Sequence, residues 1–98
     1  MNTDTFCEHF HIAASHPALP GHFPGNPVVP GVVLLDRVVA AAENAWGARV
    51  AGFPQVKFLR PLLPEQDVQL VLERADNLRF RILQGVDVIA TGSAELAP

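Results

Sequence analysis

Cysteine occurs once in this chain, at Cys7, so no internal disulfide can form and the residue alone assigns no redox compartment. Charge is sparse as well: only 17% of the 98 residues are ionic, with a net charge of −3. A nucleic-acid reader would carry a basic excess, so that partner class is not expected. Neither a basic n-region nor an apolar h-region opens the sequence, and the most apolar run, residues 32–42, is interrupted by Asp36 and Arg37 and is too short to cross a bilayer. A cytoplasmic protein without membrane insertion is the expectation. Internal repeats, a glycine-rich phosphate loop, a serine nucleophile elbow and a Cys–His pair are all missing.

What is present is a normal apolar share, 49%, in a chain sized for one domain over residues 1–98. A chain this short buries only about 60–65% of its unfolded surface, so homo-oligomerisation, as a dimer or higher, is expected to cover more. Residues 5–13 pattern as a first strand. Between 15 and 31 lie five prolines (17, 20, 24, 27, 30) and three glycines (21, 25, 31), a density incompatible with regular helix or a central strand. A loop of that length in a compact domain is usually functional.

Residues 31–46 form the one convincing helix, entered after Pro30 and closed by Gly47. Its polar residues Asp36, Arg37, Glu43 and Asn44 recur seven apart and predict one narrow stripe on a helix buried on most sides. The remainder predicts strands at 50–60, 66–74, 78–83 and 86–96. Val68, Leu70 and Leu72 alternate with Gln69 and Glu73, while Leu78, Phe80 and Ile82 alternate with Arg79 and Arg81. Asp76-Asn77 and Gln84-Gly85 supply turns. One helix and an antiparallel meander give an α+β class of outline β-α-β-β-β-β, with the sheet wrapped around the helix.

Chemistry concentrates where the proline-rich loop meets the helix. A proline-braced His22 precedes the helix start, and Asp36 follows fourteen positions later, about one and a half turns into the helix. Backbone N–H groups at a helix start are unpaired and can hold an oxyanion. His9 and His11, spaced i, i+2, could approach a metal with His16, yet no cysteine or carboxylate stands at a diagnostic spacing and polar edge-strand residues are the better reading. No metal and no organic cofactor are expected. Lys57, Arg60, Arg74, Arg79 and Arg81 hold most of the positive charge; they read as a solvated sheet face or as a docking patch for an acidic partner. Trp46 reads as a core or dimer contact.

The segment GHFPGNPVVPG, residues 21–31, followed by an acidic residue in the helix, resembles the signature of the β-hydroxyacyl-acyl-carrier-protein dehydratases. VKFLRPLLP, residues 56–64, resembles that family's second recognisable stretch. The resemblance implies a hot-dog fold and a site shared across a dimer. His22 then matches the catalytic histidine, Asp36 the catalytic acid, and Gly31 the glycine whose N–H binds the thioester carbonyl. Phe23, Pro30 and Val32 would be substrate contacts beside it. The loop is similar to that of the family branch that uses Glu at the acidic position, whereas Asp36 is the residue of the other branch.

The implied partner is an acyl carrier protein bearing a β-hydroxyacyl chain, and the implied reaction is its dehydration to a trans-2-enoyl thioester. With an ordinary pKa of about 6.5, a histidine suits α-proton removal at neutral pH. Burial along an apolar helix would favour the acid form of Asp36. A hot-dog acyl thioesterase and a non-catalytic acyl-binding subunit remain alternatives, because a fold does not fix a function.

Overall fold

Alternation of apolar and polar residues, not propensity alone, builds the sheet. The computed structural model describes residues 4–17, 19 and 28–98. Among them run β1 (Asp4–Phe10), α1 (Gly31–Trp46), β2 (Val50–Phe58), β3 (Val68–Arg74), β4 (Leu78–Gln84) and β5 (Asp87–Leu96). The five strands form one antiparallel sheet in the order β1-β3-β4-β5-β2. β1 and β2 therefore occupy opposite edges, and α1, which lies between them in sequence, crosses one face of the sheet.

That face is the apolar one. Val68, Leu70 and Leu72 of β3 and Leu78, Phe80 and Ile82 of β4 are buried with Val33, Leu34, Val38, Ala41 and Ala42 of α1 in one cluster. Their sequence neighbours Arg79 and Arg81 are exposed, so they stand on the outer face. There Arg81 faces Thr91, Thr91 faces Lys57, and Arg79 faces Ser93 in the strand registers. Lys57, Arg79 and Arg81 form no ion pair with any described residue. Arg60 instead approaches Asp87 at 3.7 Å, and the Arg74 guanidinium lies over the Trp46 ring at 5.8 Å. Trp46 also meets Phe6 edge-on at 6.3 Å, which makes it a contact at the core's border.

The helix has the predicted bounds for the predicted reasons. Pro30 sits at the N-cap in an extended conformation. Gly47, at φ 62°, takes the left-handed turn while its N–H and that of Ala48 return to the carbonyls of Glu43 and Ala42. No described residue lies in a helix long and apolar enough to cross a membrane.

Three expectations need correction. The first strand ends at Phe10 rather than 13, because His11 onward leaves the sheet; Ile12 O accepts the N–H of Glu65 at 2.8 Å instead of continuing the β1–β3 ladder. β2 stops at Phe58 rather than 60, since the N–H groups of Leu59 and Arg60 both turn to Ile89 O. Pro54 is tolerated inside β2 because that strand is a sheet edge, and the β2–β5 register shifts around it.

The third correction concerns α1, which is not buried on most sides within this chain. Val32, Asp36, Val39, Ala40, Glu43 and Asn44 make a broad exposed face, with Val32 62% exposed. Nor do its polar residues share one stripe. Arg37 turns to β1, where it bonds Glu8 at 3.1 Å and covers the Phe10 ring at 4.7 Å. Asp36 stays on the open face.

Candidate active site at the helix start

The described residues just before α1 are tied to the segment after β2, and those just after β1 to Glu65. Val29 donates its N–H to Leu62 O at 2.8 Å, joining the segment before the helix to the segment after β2. Glu65 holds the exit of β1: its Oε2 accepts the Ala14 N–H at 2.8 Å, and its N–H bonds Ile12 O. It does so at φ 66°, a conformation that costs a non-glycine residue of order 1 kcal/mol and persists only where surroundings impose it.

An apolar groove of about 500 Å³ opens at the helix start. Val29, Leu34 and Leu62 are its buried floor, Phe58, Leu59 and Pro61 are exposed at its rim, and Pro30 and Gly31 form one end. Its size and apolar lining are those of small-ligand sites. No described side chain caps α1, and the Gly31 N–H donates to no described residue. That donor, which has no partner among the described residues, and the positive end of the helix dipole thus stand at the groove's end.

No left-handed backbone calls for glycine at position 31, since its φ is not positive. Space is what it supplies: a Cβ at this position would lie 2.5 Å from Cζ of Phe58. Pro30 and Gly31, two of the expected contacts, line the groove, whereas Val32 points to the open face of α1. His22 and Phe23 lie outside the described residues.

Asp36 is exposed and makes no hydrogen bond or ion pair with any described residue, so this chain alone provides no burial for its carboxyl. At 3.6 residues per turn it sits about 140° around the helix from Gly31 and about 160° from Leu34. The groove and the carboxylate of one chain therefore face different directions.

The histidine cluster does not assemble. His11 lies 3.7 Å from Glu65 and 3.8 Å from Asp67, all three exposed, and no metal-binding group of His, Cys, Asp or Glu occurs among the described residues. Sequence reasoning missed Phe58, Leu59 and Leu62 as groove residues. The signal was available in the apolar run between Val56 and Pro64, which is too hydrophobic for a plain connection.

Comparison with known proteins decides the family. The model of the ApeI-like dehydratases, described as ApeI dehydratase, matches residues 1–93. The chain belongs to the ApeI-like dehydratase family. It is 37% identical over 90 residues to the 3-hydroxyacyl-[acyl-carrier-protein] dehydratase FabZ of Thermus thermophilus, covering 81% of this chain and 59% of the relative. The FabZ of Acetivibrio thermocellus is 31% identical over 96 residues, covering 88% and 64%. The chain thus spans less than two thirds of the length of these curated relatives.

Among solved structures, the dehydratase heterocomplex ApeI:P from Xenorhabdus doucetiae matches with a TM-score of 0.85 at 23% identity, covering all of this chain and 96% of that one. An uncharacterized protein from Erwinia carotovora subsp. atroseptica matches with 0.81 at 28% identity, covering 98% and 85%. The fold is the hot-dog fold, as the resemblance implied.

Proposed function

We propose that this ApeI-like protein dehydrates a β-hydroxyacyl thioester, carried by an acyl carrier protein, to a trans-2-enoyl thioester. The observation that carries this reading is the apolar groove that ends on the helix start at Gly31, whose N–H donates to no described residue. An acyl chain fills such a groove, and its thioester carbonyl then meets the Gly31 N–H. His22, nine residues before Gly31, removes the α-proton; the emerging enolate charge gathers on the carbonyl oxygen at that N–H. A donor aimed at developing charge is worth about 3–4 kcal/mol in a transition state. Asp36 donates a proton to the β-hydroxyl, which leaves as water. The carbon–carbon double bond forms from the electrons of the broken C–H bond, so the step needs no oxidant and no cofactor.

The angle between groove and carboxylate supports a site shared by two subunits. Asp36 cannot turn into its own chain's groove, yet it stands ready for another's, flanked by the exposed Val32 and Val39. A second copy seated on this face buries those valines and gives Asp36 the enclosed surroundings the chemistry needs. Residues 1–98 would then form one domain of a homodimer working in the cytoplasm.

The test is product analysis. Incubated with β-hydroxyacyl carrier protein, the protein is expected to yield the enoyl thioester and water with the thioester bond intact. Release of free acid would assign it to thioester hydrolysis instead, and no turnover on any acyl length would leave only acyl binding.

A further inference from the structure

Phe58 does something the dehydration chemistry itself does not require. It is the last residue of β2, and its ring crosses to the helix side with its tip against Gly31. A Cβ there would lie 2.5 Å from Cζ and 2.9 Å from both Cε atoms, so the ring occupies the place a side chain would take. The ring is not part of the hydrophobic core: 52% of the residue is exposed, against 1% for Phe80. Leaving a phenyl ring half in water forgoes stabilisation that a buried one supplies.

Its backbone is nonetheless held firmly. Phe58 pairs with Ala90 of β5, and the next N–H, that of Leu59, bonds Ile89 O at 2.8 Å. A rigidly mounted, half-exposed ring thus stands at the glycine end of the groove, beyond which lies the floor of Leu34 and Leu62.

We propose that Phe58 is the gauge of the acyl groove: its ring sets the width available beside Gly31 and so selects acyl chains that are unbranched near the thioester. This inference rests on the acyl-thioester reading above. A chain whose carbonyl meets the Gly31 N–H must pass the ring within its first few carbons, where a branch would collide with it. Gly31 is glycine for the same reason, because ring and side chain cannot share the space. Phe58 is therefore a specificity residue and takes no part in proton transfer.

The experiment compares straight-chain with γ-branched β-hydroxyacyl thioesters, using the full-length native protein, Phe58→Ala and Phe58→Leu. One methylene in a close-fitting apolar pocket is worth about 10- to 200-fold in kcat/KM. Native protein is expected to prefer the straight chain, and Phe58→Ala is expected to move the ratio toward the branched chain by about tenfold or more. Phe58→Leu should give a smaller move in the same direction, which keeps the test informative if the alanine variant does not fold. An unchanged ratio in a folded, active variant overturns the proposal.

If native protein turns over neither substrate, the dehydration reading fails, and the gauge is then read from binding alone. Unreactive straight and branched acyl thioethers are titrated against native and variant protein. A shifted affinity ratio upholds the gauge; an unshifted ratio, or no binding by native protein, overturns it. A second readout is the pair Gly31→Ala and Gly31→Ala/Phe58→Ala. The first should lose thioether affinity through collision with the ring, and the second should regain most of it; equal losses in both backgrounds contradict the spatial argument.

Discussion

His22→Ala and Asp36→Asn are each expected to lower dehydration by about 100- to 10,000-fold while leaving the fold intact, the range for removing a positioned acid or base. Asp36 is exposed and without partners among the described residues, so replacing its carboxylate with an isosteric amide breaks no hydrogen bond or ion pair with any of them. Loss of rate in a protein with native melting behaviour therefore reports chemistry. Steady-state turnover with one β-hydroxyacyl thioester, alongside thermal denaturation, is the measurement. Near-native turnover in either folded variant would remove that residue from the mechanism. Because the two residues act on one substrate in one step, their effects should also fail to add in the double variant.

The largest effect on stability is expected from Phe80→Ala. Phe80 is 1% exposed, lies opposite Leu72 on β3 and Gly92 on β5, and meets Phe53 of β2 edge-to-face at 5.9 Å. It thereby joins the middle of the sheet to the edge strand that carries Phe58. Truncating a buried phenylalanine typically costs about 3–5 kcal/mol, and the surrounding strands cannot close the cavity. Gly92 shows how tight the packing is: an added Cβ would run into the Gln55 carbonyl and reach the Phe80 ring at 3.0 Å. Small domains have a total stability of about 5–15 kcal/mol, so much of it is lost. Melting temperature at fixed protein concentration should fall on the order of 15–30 °C. A fall of only a few degrees would mean that the centre of the core lies elsewhere.

Those two sites differ in how legible they were. Phe80 could be read as core because strict alternation with Arg79 and Arg81 leaves one arrangement on a sheet with a single apolar face. Helix bounds were equally plain, since Pro30 and Gly47 punctuate both ends through local backbone constraints. Strand ends were not: His11, Leu59 and Arg60 leave the ladder for non-local partners, Glu65 and Ile89, which no local pattern announces.

The groove was hidden for the same reason. Phe58 and Gly31 stand 27 residues apart and meet only because α1 carries the chain from one sheet edge to the other. Arg37 shared its seven-residue spacing with Asp36, and only the position of Glu8 and Phe10 on β1 separates a structural arginine from an open carboxylate.

The central claim is that a groove from one subunit works with the Asp36 of another, and subunit exchange tests it most directly. Inactive His22→Ala protein is mixed in equal amount with inactive Asp36→Asn protein, and exchange is confirmed by mass-tagged chains. Half of the dimers are then mixed, and each holds one site with both defects and one with neither. About a quarter of native activity should return under random two-fold pairing. If both residues served one chain's own site, every site would keep a defect, and a mixture that stays inactive after complete exchange would contradict the shared site.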